Sequence, residues 1–91
     1  MKNYQIIIDH HSNYLVKGMG KYGLVIVPTQ RGATTSNIKM FSSDEELRGV
    51  LQKLGYNASE IADVFDVLAD KKNHWIEHRD FDEAVVTELG F

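Results

Sequence analysis

Two short apolar stripes between residues 43 and 72 constrain the fold most, because each has its own start signal and together they demand a surface to cover. Leu47, Val50, Leu51 and Leu54 fall at i, i+3, i+4 and i+7, one face of a 3.6-residue period. Ile61, Val64, Phe65 and Leu68 repeat that spacing. Ser43 stands three residues before Glu46, and Asn57 three before Glu60. In each pair the first side chain can accept from an orphan N–H at the helix start while the glutamate reaches back. Gly55 is placed to end the first helix in the left-handed conformation. The segment therefore predicts two amphipathic helices joined by a tight turn, with an apolar face that must be buried elsewhere in the chain.

The residues before it supply that surface. Tyr4 to Ile8 is short and β-branched, which predicts a strand, and Asp9 to Asn13 reads as a turn. Tyr14 to Lys17 is a second predicted strand, and Gly18 to Gly23 the connection to a third, Leu24 to Val27. The unbroken apolar character of that third strand suggests cover on both faces. Pro28 marks its end, because proline cannot donate to a ladder. Gln30 to Ser36 is a polar loop, and Asn37 to Phe41 a fourth strand. Short connections favour an antiparallel meander.

After Leu68 the pattern is weaker. His74 to His78 reads as a short fifth strand. Asp80 to Glu83 looks like a third capping box, with Phe81, Val85 and Leu89 at helical spacing and Gly90 as terminator. The rival for that region is a strand through residues 84–87. The expected fold is α+β: an antiparallel sheet of four or five strands, a helical hairpin packed on one face, and a short C-terminal helix. One domain spans 1–91, β-rich over 1–41 and mainly helical over 42–91.

Composition narrows function chiefly by exclusion. The chain has no cysteine, which removes disulfides, thiolate metal sites and cysteine nucleophiles. No apolar run approaches the roughly 20 residues of a membrane span. Tyr4 to Ile8 is too short for a signal-peptide core, so the expectation is a cytoplasmic protein with no membrane partner. The net charge of −3 hides an asymmetry. Residues 1–41 hold five basic groups against Asp9 alone, while residues 42–91 hold five basic against twelve acidic. The simplest consequence is attraction between the two halves within one fold.

Four leads could carry chemistry. Two helices joined at Gly55-Tyr56-Asn57 raise the question of a DNA-reading motif. The second helix, however, carries Glu60, Asp63, Asp66 and Asp70, which oppose phosphate contact. The Leu54-Gly55-Tyr56 turn resembles the loop of ubiquitin-associated domains over those few residues. The long segment before the third helix departs from that family's pattern, and no function is carried from it. His10-His11 and His74/His78 are pairs of a kind that suits zinc, nickel or copper. Two imidazoles at a time make an incomplete ligand set, so surface or turn histidines are the favoured reading, with no metal or cofactor. The glycines at 18–20 and Arg31-Gly32 match no phosphate-binding fingerprint.

Three readings remain. The first is a non-catalytic protein-interaction module, a regulator or inhibitor whose partner is another protein or a second copy in a homodimer. Glu45, Asp63 and Asp66 lie off the apolar stripes and are its candidate contacts. The second is single-stranded nucleic-acid binding by a basic, tyrosine-bearing sheet, with Tyr14, Lys17, Lys21 and Lys39 as its candidates. The third is a histidine-based metal site. The sequence favours the first and shows no catalytic constellation.

Overall fold

The structure, a computed structural model, describes residues 1–13, 20–29 and 38–91. Four strands and three helices appear among them: β1 Lys2–His10, β2 Tyr22–Pro28, β3 Lys39–Phe41, α1 Asp44–Leu54, α2 Ala58–Leu68, β4 Trp75–Phe81 and α3 Glu83–Glu88. A single 3₁₀ turn, His11–Asn13, follows β1. The strand predicted over Tyr14 to Lys17 and the loop over Gln30 to Ser36 lie outside the described residues.

The sheet is antiparallel, in the order β3-β2-β1-β4. The first three strands form a meander, each beside its neighbour in sequence. The fourth departs from it. The helical hairpin carries the chain across the sheet, and β4 pairs with β1 on the far edge, Ile8 opposite Trp75 and Lys2 opposite Phe81.

The alternation of strand side chains explains the core. Tyr4, Ile6 and Ile8 of β1 share a face with Tyr22, Leu24 and Ile26 of β2, set by the Ile6↔Ile26 register. These six form one cluster with Leu47, Leu51 and Leu54 of α1, Ile61, Val64 and Leu68 of α2, Phe81 and Val86. The helical stripes are thus buried against one sheet face, each fully buried aliphatic side chain contributing roughly 1.5–3 kcal/mol. Val50 and Phe65, at the stripe margins, are half-buried. Val25 and Val27 project from the other face of β2 and are also buried, which accounts for that strand's continuous apolar sequence.

The helix ends follow the sequence signals with two changes. Asn57 and Glu60 form a complete capping box. Ser43 Oγ accepts from the Glu46 N–H, but the Glu46 carboxylate turns to Ser42, accepting from its N–H and its hydroxyl. Gly55 has φ 103°, and the Tyr56 N–H reaches back to the Leu51 carbonyl, closing α1 as a left-handed cap does. The predicted box at Asp80 is displaced. Asp80 lies within β4 and accepts from Asn3 Nδ2, while Asp82 is the N-cap of α3, accepting from the Ala84 N–H. β4 therefore runs three residues past His78, and Phe81 is a buried strand residue rather than part of a helical stripe. Gly90, with φ 91°, ends α3 as expected.

Candidate functional site

Two junctions tie the sheet to the helical layer, and both use the same parts. At one, Arg79 of β4 meets Glu60 in the first turn of α2. The guanidinium makes a two-pronged pair, Nη1 to Oε2 at 2.6 Å and Nη2 to Oε1 at 3.1 Å. It lies 4.0 Å from the centre of the Tyr56 ring and 3.7 Å from Glu77 Oε1. Arg79 and the capping N–H of Asn57 together hold the Glu60 carboxyl down to about 2. The Glu60 bond in turn raises Arg79 further. Tyr56 packs against Phe81, and burial, with Glu77 nearby, pushes its phenol up. Its hydroxyl and the Trp75 indole N–H are buried without a well-formed hydrogen bond.

At the other junction, Lys21, immediately before β2, meets Asp44 in the first turn of α1. Lys21 Nζ donates to Asp44 Oδ1 at 2.8 Å, and the Tyr22 hydroxyl donates to the same oxygen at 2.9 Å. The ammonium sits 5.4 Å from the centre of the Tyr22 ring. Lys21, then Tyr22, hold the Asp44 carboxyl below the usual carboxylate range, and Asp44 raises Lys21. Burial first, then the bond to Asp44, push the Tyr22 phenol up.

This second junction opens onto a cleft of about 650 Å³ between the β1–β2 end of the sheet and the helices. His10, Lys21, Arg48 and Lys71 line it, with Tyr22, Phe65 and Leu68 as its apolar part. The His10 ring lies 5.7 Å from that of Tyr22, and its Nε2 is buried without a hydrogen bond among the described residues. The Arg48 guanidinium rests 5.1 Å from the centre of the Phe65 ring. A smaller groove of about 270 Å³ lies on the other side of Arg48, between α1 and α2, lined by Gln52, Ile61, Ala62, Phe65 and Asp66.

The residues singled out in the sequence distribute as follows. Glu45, Asp63 and Asp66 are exposed on α1 and α2. Tyr14 and Lys17 lie outside the described residues. Lys21 is engaged by Asp44, and the exposed Lys39 lays its ammonium end beside Gly90. Tyr4 and Tyr22 are buried on the helix-covered face, so neither offers its ring to a base on the other face. His10 and His11 sit at one end of the sheet. His78 meets Thr29 on that other face, Oγ1 to Nδ1 at 3.3 Å. Among the described residues no three His, Asp or Glu side chains are grouped to hold a metal ion.

The charge asymmetry has a structural counterpart. Lys2–Glu83 and Lys21–Asp44 join the basic half to the acidic half, at 3.6 and 2.8 Å. The Arg79 cluster and the cleft were not visible in the sequence. Their residues are far apart in the chain and meet only once the strands and helices are aligned. Comparison with protein-family models, with curated proteins and with solved structures finds no match to this chain. Among the described residues no helix is long and apolar enough to cross a membrane.

Proposed function

We propose that the chain is a non-catalytic protein-interaction module that meets its partner through the outer face of the helical layer. One observation carries this reading. Of the thirteen acidic residues, only Glu45, Asp63, Asp66 and Glu88 have no side-chain hydrogen bond or ion pair among the described residues. Three of those four lie on α1 and α2. The other acidic groups are used within the fold, while Glu45, Asp63 and Asp66 stay exposed and unengaged among the described residues, three carboxylates that a basic partner can meet after electrostatic steering. The groove between the helices adds a place for an apolar side chain against Ile61 and Phe65, with Asp66 at its margin.

The test compares two variants with the wild type in quantitative capture of binding proteins from the native host. Reversal at Glu45→Lys, Asp63→Lys and Asp66→Lys together is expected to abolish a salt-sensitive interaction that Lys39→Glu leaves intact. Capture that survives the triple reversal contradicts the proposal. Binding of a mixed-sequence single strand that is lost only in Lys39→Glu would promote the nucleic-acid reading in its place.

A further inference from the structure

We propose that the cleft beside Lys21 and Arg48 binds a small organic phosphate, its dianionic head among the cations and its apolar body on Phe65. Glu45, Asp63 and Asp66 do not line this cleft, although Arg48 and Phe65 also border the groove of the helical-face reading.

The charge balance selects the head group. Among the described residues Lys21, Arg48 and Lys71 line the cleft, and Asp44 is the one carboxylate that does. Asp44 already receives both Lys21 and the Tyr22 hydroxyl on one oxygen. Arg48 and Lys71 have no salt bridge among the described residues. Three cations against one anion leave about two positive charges uncompensated, the complement of a phosphate monoester rather than of a single carboxylate. Arginine on an aromatic face is held in place and keeps its N–H fork free for a planar or tetrahedral oxyanion.

The walls select the body. Phe65 is half-buried and forms an apolar wall beside the cations, its ring backed edge-on at 6.2 Å by the buried Tyr22. The exposed Ala69 extends it. A bare inorganic ion leaves that wall wet. His10, the last residue of β1, closes that side of the cleft. Groups of this kind, a few convergent polar atoms over an apolar wall, are the usual make-up of small-molecule sites.

The experiment is a titration of the whole chain with phenyl phosphate, followed by amide chemical shifts, with sodium chloride at matched ionic strength as the blank. Saturable shifts centred on Lys21, Tyr22, Arg48, Phe65 and Lys71 are expected. The exposed double variant Arg48→Gln/Lys71→Gln should weaken binding by about tenfold or more without changing the circular dichroism spectrum, as the loss of two charge-assisted contacts requires. Inorganic phosphate and benzoate should each bind more weakly than phenyl phosphate, by about tenfold for the loss of the apolar body or of one charge. The absence of saturable shifts overturns the site. So does binding unchanged in the folded double variant. Equal affinity for inorganic phosphate overturns the role of the Phe65 wall, and equal affinity for benzoate overturns the choice of a dianion.

Discussion

The two sheet–helix junctions are built alike and end up different. Each sets a cation of the sheet layer against a carboxylate in the first turn of a helix, beside a tyrosine ring. Arg79 and Glu60 are about three-quarters and two-thirds withdrawn from solvent, at 25% and 35% exposure, whereas Lys21 and Asp44 stand at 53% and 46%. The arginine spends both prongs on one carboxylate; the lysine offers a single point charge. The first arrangement closes on itself and fixes α2 to the edge strand. The second leaves Arg48 and Lys71 without a salt bridge in front of an open cleft. The comparison teaches that the same trio of residue types can serve as a clamp or as one wall of a site. Burial and the geometry of the cation decide which.

The largest effect expected from any single change lies in the core that both junctions rest on. Leu51→Ala removes a side chain with no exposed surface and should cost ~2–5 kcal/mol. Phe65→Ala, at the half-buried cleft wall, should cost less than Leu51→Ala in the same denaturant titration. If the two costs are equal, Phe65 is a core residue first and a binding wall second.

Next come the cations themselves. Arg79→Ala should lower the melting temperature by several degrees, since it loses a two-pronged pair and the packing of its stem on Tyr56. Lys21→Ala should leave it close to the wild type, because exposed pairs contribute little. Equal shifts in thermal melts would erase the distinction between clamp and site.

The tyrosines should behave in the opposite sense. Tyr22→Phe loses a hydrogen bond to a charged acceptor and should cost about 1 kcal/mol or somewhat more. Tyr56→Phe removes a buried hydroxyl that lacks a well-formed bond and should be neutral within about 0.5 kcal/mol, or stabilising. A larger cost for Tyr56→Phe in chemical denaturation would mean that its hydroxyl bonds to Glu77 or Trp75 in solution.

The smallest effect is in acid. The Glu60 carboxyl is held at about 2 against an ordinary 4.5, so its folded pKa is depressed. Its contribution is complete above pH 4.5 and is lost as the pH falls from there through about 2. The difference in melting temperature between the wild type and Glu60→Gln should shrink across that window. A difference that grows as the pH falls would show that Arg79 does not hold Glu60 in the fold.

The helical hairpin was legible because its information is local: a 3.6-residue stripe, two caps and a glycine within thirty residues. β2 was legible because burial on both faces leaves an unbroken apolar run. β4 was seen only in part. Its inward face holds Glu77 and Arg79 between Trp75 and Phe81, so the two-residue alternation that marks a half-buried strand is masked by charge. The Asp80–Glu83 spacing then imitated a helix start, although the capping aspartate is Asp82. Its place beside β1 depends on how the hairpin crosses the sheet, which no local pattern encodes. The exposure of Glu45, Asp63 and Asp66 was legible, since lying off a stripe is a local property. The cleft was beyond reach for the opposite reason. It draws on the 10–11, 20–22, 44–48 and 65–71 regions, which meet only once the sheet and the helices are in register.

A pair of double-mutant cycles tests the distinction most directly. One cycle couples Arg79→Ala with Glu60→Ala, the other Lys21→Ala with Asp44→Ala, all measured by denaturant unfolding in the same buffer. The account predicts a coupling for Arg79 and Glu60 well above experimental error that persists in high salt, and a coupling for Lys21 and Asp44 that is small and disappears as salt is raised. Equal couplings, or a larger and salt-resistant one at Lys21 and Asp44, would contradict it.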